Sequence, residues 1–132
     1  MFRAKTIMKT NVISIGKDTE IYEAIRLIVE SNITGLPVVN HDLTVAGIIT
    51  EKDMLRLLYD SGDLPGTVEG FMTREVVCFD QEDSLLDVVE CFIHNHFRRV
   101  PILDEGKLVG IISRKDVIAY ILELRHQAAA QV

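Results

Sequence analysis

The stretch Gly47-Ile48-Ile49-Thr50-Glu51-Lys52-Asp53 returns as Gly110-Ile111-Ile112-Ser113-Arg114-Lys115-Asp116. Upstream of it, Leu36-Pro37-Val38-Val39 returns as Val100-Pro101-Ile102-Leu103. Further out, the run from Met8 (M-K-T-N-V-I-S-I) returns from Met72 as M-T-R-E-V-V-C-F. The spacing is 72−8 = 64 at the start and 116−53 = 63 at the end, so the first copy holds one extra residue between Pro37 and Gly47. A repeat of this kind signals units that bury an apolar face against each other, with a seam able to hold a ligand.

Within each copy the hydrophobic period changes in the same order. Val12-Ile13-Ser14-Ile15 and Val76-Val77-Cys78-Phe79 read as short strands. Helical spacing follows, with Ile21, Ala24, Ile25 and Ile28 in one copy and Leu85, Val88, Val89 and Phe92 in the other. Both sets fall at i, i+3, i+4 and i+7, which makes one apolar stripe per helix. Asp18 or Thr19 is placed to cap the first helix, and Asp83 or Ser84 the second. Two apolar runs come next in each copy, 36–39 with 45–49 and 100–103 with 108–112, joined by turn segments. A second helix is expected over about 51–59 and again over 114–125. Each copy therefore reads strand–helix–strand–strand–helix, an α/β (α+β) pattern. Asp60–Gly66 reads as the linker, which divides the chain at 1–66 and 67–132, and the tail 126–132 is expected to fray. Pro37 and Pro101 cannot donate to a ladder, so they are expected at a strand start or edge.

The chain of 132 residues is 48% hydrophobic, enough for a real core and too apolar for disorder. A net charge of −6 disfavours nucleic acid or an anionic membrane as partner. No apolar run reaches the roughly 20 residues that span a bilayer, and no secretory signal is seen, so a cytoplasmic location is expected. Cys78 and Cys91 lie in separate apolar segments and read as reduced thiols. His94 and His96 lack a third metal ligand at a persuasive spacing. No Ser/His/Asp set, paired-acid site or P-loop is present, so no enzyme is expected and no cofactor is required.

Thr50-x-x-Asp53 and Ser113-x-x-Asp116 are capping boxes, and capping alone accounts for both hydroxyl and carboxylate. The same pieces also suit a nucleotide. A helix start offers free amides to phosphate, the hydroxyl adds a bond, and Lys52 or Lys115 adds charge. A carboxylate accepts from both hydroxyls of a ribose.

With both copies of these motifs in view, the chain resembles a tandem pair of cystathionine β-synthase (CBS) domains, a Bateman module, over about 4–124. The resemblance implies two β-α-β-β-α repeats packed with pseudo-two-fold symmetry through small sheets. It implies two clefts between the copies for AMP, ADP, ATP or S-adenosylmethionine. In the main cleft it implies Asn11, Ile13, Ile33, Thr34, Arg99, Ile111, Ser113, Lys115 and Asp116, with Asp116 on the ribose and Ser113 beside the phosphate. In the second cleft it implies Glu75, Val77, Phe97, Arg98, Ile48, Thr50, Lys52 and Asp53. Met8 and Met72 lie nearby. Arg99 has no cationic counterpart in the first copy, which has Thr34-Gly35 there, and Glu75 sets a carboxylate at the second mouth. The main cleft is therefore expected to take the anionic ligand. A homodimer built on 54–58 and 117–121, and a regulated protein of unidentified kind, complete the expectation. The alternative is a structural dimerisation module with no bound nucleotide.

Overall fold

The computed structural model describes residues 2–59 and 66–130. All of the expected linker except Gly66 lies outside them, as do the last two residues of the tail. The element order is α1 (Ala4–Ile7), β1 (Ile15–Gly16), α2 (Ile21–Ser31), β2 (Gly35–Val39), β3 (Val45–Thr50), α3 (Glu51–Arg56), β4 (Phe79–Asp80), α4 (Leu85–His94), β5 (Arg99–Asp104), β6 (Lys107–Ser113) and α5 (Arg114–Ala130). The two sheets run β1-β2-β3 and β4-β5-β6. This is the repeated α/β pattern expected from the sequence.

The chain forms two compact units. One, the copy-1 unit, is Ile13–Val76 with Gly106–Leu108. The other, the copy-2 unit, is Met1–Val12, Val77–Glu105 and Val109–Val132. The leading residues of each copy thus belong to the unit of the other copy. In the copy-2 unit Lys9 exchanges backbone bonds with Ile111, at 2.9 and 3.0 Å. In the copy-1 unit Thr73 exchanges them with Ile48, at 2.8 and 2.9 Å. Glycine makes both crossings possible. A Cβ on Gly47 would meet the Thr73 carbonyl oxygen at 2.7 Å, and one on Gly110 the Lys9 carbonyl oxygen at 3.1 Å.

This exchange also explains Pro37. Pro37 lies inside the central strand β2, opposite Ile48. Ile48 spends its N–H and C=O on Thr73. The Pro37–Ile48 pair is therefore a non-hydrogen-bonded position of the antiparallel ladder. On the other side β1 pairs only with Val38 and Val39. No strand asks Pro37 for an N–H, so the expected confinement to a strand start or edge gives way.

Each unit has its own core. Ile15, Ile21, Ala24, Leu36, Val38, Ile49, Val68 and Met72 are buried together in the copy-1 unit. Ala4, Leu85, Val88, Phe92, Val100, Ile102 and Ile112 are buried together in the copy-2 unit. Each fully buried Ile or Leu here contributes about 1.5–3 kcal/mol of apolar transfer. The helical stripes read from the sequence supply Ile21, Ala24, Leu85, Val88 and Phe92 to these cores.

Helix ends differ in detail from expectation. Helix α2 starts after Glu20, without a side-chain cap. Its C-cap Asn32 adopts φ 51°, a left-handed conformation that asparagine tolerates. Ser84 caps α4 by accepting from the Leu86 amide at 3.2 Å. Helix α5 does not fray at 126. It continues to Ala130, because Gln127-Ala128-Ala129-Ala130 are strong helix formers. No helix among the described residues is long and apolar enough to cross a membrane.

Candidate functional site

The β6–α5 junction gathers the second copy's motif. Strand β6 ends at Ser113, and α5 begins at Arg114. The Ser113 amide donates to Asp116 Oδ2 at 2.9 Å, and the Asp116 amide donates to Ser113 Oγ at 3.1 Å. This is a complete capping box. It uses one carboxylate oxygen, and Asp116 Oδ1 accepts no hydrogen bond among the described residues. The Arg114 amide donates to the Arg98 carbonyl at 3.0 Å, which ties the start of β5 to the same junction. Arg99 is the first residue of β5, and Ile111 lies two residues before Ser113 and pairs with Lys9. Asn11, Val77, Phe97, Arg98, Arg99, Ile111, Ser113, Lys115 and Asp116 all belong to this unit.

The Arg114 side chain fixes the neighbouring loop. Its Nε donates to the Phe97 carbonyl at 2.6 Å, and its Nη2 donates to the carbonyls of Asn95 at 2.6 Å and Phe92 at 3.1 Å. Phe92 is on α4, Asn95 is its C-cap, and Phe97 begins the approach to β5. A charge at a helix C-terminus satisfies carbonyls that have no helical partner.

The copy-1 unit holds the matching junction, with Ile13, Ile33, Thr34, Ile48, Thr50, Lys52, Asp53 and Glu75. The Glu51 amide donates to the Thr34 carbonyl at 3.2 Å, as Arg114 does to Arg98. The carboxylate is spent differently. Asp53 Oδ2 accepts from the Thr50 amide at 2.9 Å and from Thr50 Oγ1 at 3.0 Å. Thr73 Oγ1 lies 3.2 Å from both carboxylate oxygens, and Arg56 Nη1 lies 3.8 Å from Oδ1. Asp53 is 4% exposed and is the sole charged residue counted in the described core. Asp116 is only partly buried. Lys52 and Lys115 are exposed and make no ion pair among the described residues.

Sequence reasoning missed Thr73 and the Arg114 side chain. The repeat shows only that Thr73 stands where the first copy has Lys9, not that it reaches Asp53. The Arg114 contacts carry no sequence signature. An open cavity of about 390 Å³ in the copy-1 unit is lined by Gly16, Lys17, Asp18, Thr19, Val39, Asn40 and His41, and by none of the expected site residues. The described residues contain no metal-holding cluster of His, Cys, Asp or Glu.

Comparison with known proteins returns one family. An uncharacterised protein of Methanocaldococcus jannaschii is 37% identical over 114 residues, which are 86% of this chain and 41% of that protein. The chain thus spans less than half of that relative. Among solved structures, CBSX2 in complex with AMP superposes with a TM-score of 0.87 at 26% identity, over 95% of this chain and 99% of the other; a CBSX2 of Arabidopsis thaliana is among the sequence relatives. The CBS domain pair of protein MJ0100, in complex with 5'-methylthioadenosine and S-adenosyl-L-methionine, superposes with a TM-score of 0.79 at 25% identity, over 92% and 96%. The CBS domain profile matches residues 4–60 and again 68–123, so this chain belongs to the CBS domain family and carries two CBS domains in tandem.

Proposed function

We propose that the chain is a regulatory module that binds an adenine nucleotide or S-adenosylmethionine at the β6–α5 junction. The observation that carries this reading is the state of Asp116. Its carboxylate keeps one oxygen open at the start of a 17-residue helix, beside a serine hydroxyl. An open carboxylate oxygen suits a ribose hydroxyl, and a helix start suits a phosphate. Arg99 and Lys115, in the same unit, supply positive charge. Support also comes from the similar CBS pairs solved with AMP and with S-adenosyl-L-methionine. Capping explains the box, but it does not need the open oxygen.

Ligand acts by differential affinity for two states of the module, which a regulated protein then reads. The module works as a homodimer. Leu55, Leu58, Ile118 and Ile121 support this, since each is more than 60% exposed on α3, the turn after it, or α5. Exposed large apolar side chains three residues apart in each unit suit an interface with a second copy. Light scattering tests the dimer, and a monomeric mass at tens of micromolar would overturn it.

The test of the ligand is a thermal-shift screen with AMP, ADP, ATP, S-adenosylmethionine and GTP, followed by calorimetry. A ligand at about 100 times its dissociation constant adds roughly 2.7 kcal/mol of stability. Adenine ligands are expected to raise the midpoint by several degrees and GTP much less. No shift with any of them would leave the structural dimerisation module as the reading.

A further inference from the structure

Resting on the nucleotide reading above, we propose that Thr73 and Arg56 occupy Asp53 from within. The first motif is thereby closed to ribose, and the chain binds one nucleotide, at Asp116.

The two motifs sit in equivalent frames. Thr73 exchanges two backbone bonds with Ile48, and Lys9 exchanges two with Ile111. The offsets agree, since 73−9 = 64 and 111−48 = 63. Thr73 and Lys9 are therefore counterparts. At Thr73 the side chain is a hydroxyl, and its oxygen lies 3.2 Å from both oxygens of Asp53. That is the contact a ribose hydroxyl would make with a carboxylate. At Lys9 there is no hydroxyl. Lys9 is exposed, and its side chain makes no hydrogen bond or ion pair among the described residues.

Arg56 is the second difference. Its Nη1 stands 3.8 Å from Asp53 Oδ1. Its counterpart by the offset 119−56 = 63 is Ala119, which has no group to offer. Among the described residues, Asp53 thus meets a hydroxyl and a guanidinium that Asp116 does not. The burial of the two carboxylates follows suit, Asp53 at 4% exposure and Asp116 only partly buried.

The energetics favour Asp116. A ribose arriving at Asp53 must displace Thr73, so one hydroxyl bond is exchanged for another with little net gain. A ribose arriving at Asp116 makes a new bond to an oxygen that has no hydrogen-bond partner among the described residues. The side chains at 9 and 73, outside both Ser/Thr-x-x-Asp motifs, therefore set how many nucleotides bind.

The experiment is calorimetric titration of AMP, with S-adenosylmethionine in parallel, into the full chain and two variants checked by circular dichroism. The wild type is expected to bind one ligand per chain. The Thr73→Val/Arg56→Ala variant is expected to bind two. Lys9→Thr places a hydroxyl at the second motif and is expected to weaken the single site about tenfold. Two ligands per wild-type chain would overturn the proposal, as would one ligand per chain in a folded Thr73→Val/Arg56→Ala. If that variant does not fold, Lys9→Thr decides, because Lys9 is exposed and outside the core, and unchanged affinity there would overturn the proposal. No ligand bound by the wild type would instead sink the nucleotide reading itself.

Discussion

A Cβ built on Gly47 would lie 2.7 Å from the sulfur of Met72, a residue 25 positions later in the chain (72−47 = 25). It would also lie 2.7 Å from the Thr73 carbonyl oxygen, which is backbone and cannot swing aside. Gly110 repeats the relationship with Met8, at 2.6 Å from sulfur. Gly47→Ala and Gly110→Ala are each expected to cost about 1–3 kcal/mol by overpacking. Gly16→Ala, where a Cβ meets nothing within 4 Å, is expected to stay within about 0.5 kcal/mol of the wild type. Urea unfolding of the three variants checks this ordering, and equal losses would refute it.

The Arg114 guanidinium holds three carbonyls at the end of α4. Arg114→Ala is expected to lower stability by about 1–2 kcal/mol, discounted for the exposure of the side chain. Arg114→Lys recovers only part of this, since an ammonium cannot fork across Phe92, Asn95 and Phe97. Chemical denaturation measures both losses. Hydrogen exchange over 95–99 is expected to quicken in the alanine variant, and an unchanged rate there would count against the staple.

The two aspartates are expected to separate stability from binding. Asp53→Ala removes the acceptor of Thr50, Thr73 and the Arg56 ion pair from a buried position, at about 1–3 kcal/mol. Asp116→Ala costs about 0.5–1 kcal/mol as a lost cap contact, and weakens adenine-nucleotide binding at least tenfold. Thermal unfolding and calorimetry on the same preparations read both effects. Selective loss of binding in Asp53→Ala alone would place the ligand at the other motif.

Burial pushes the Cys78 thiol up from its usual range. The thiol is the unreactive form, so at pH 8 Cys78 stays protonated longer than a solvated cysteine. In a Cys91→Ser background, iodoacetamide is expected to label the folded chain several-fold more slowly than the urea-unfolded chain. The folded rate is expected to rise only at higher pH than the unfolded rate. Superimposable pH profiles would contradict the shift.

Periodicity carried most of the fold. The stripes of α2 and α4 repeat at 3.6 residues and reach the cores at Ile21, Ala24, Leu85, Val88 and Phe92. The strand expected at Val12–Ile15 shrinks to β1, Ile15–Gly16. Lys9 pairs with Ile111, a partner that no local pattern points to. The same gap hid Thr73. The motif Thr50-x-x-Asp53 was legible as a cap, but the third partner of its carboxylate lies 20 residues downstream. The repeat made the two motifs look alike, and side chains outside them make them different.

The interleaving of leading segments also sets an order of events during synthesis. Lys9 leaves the ribosome 102 residues before Ile111 (111−9 = 102), so its partner does not yet exist. Thr73 follows Ile48 by only 25 residues (73−48 = 25). The copy-1 unit can close almost all of its contacts once residue 76 is made, whereas the copy-2 unit must retrieve a segment made 102 residues before its partner. Long-range closure of this sort is slow relative to local pairing. Either repeat produced alone lacks the crossing segment that bridges to its last strand, Thr73 for β3 and Lys9 for β6, so each is expected to reach its full set of contacts only when the other's leading residues are present.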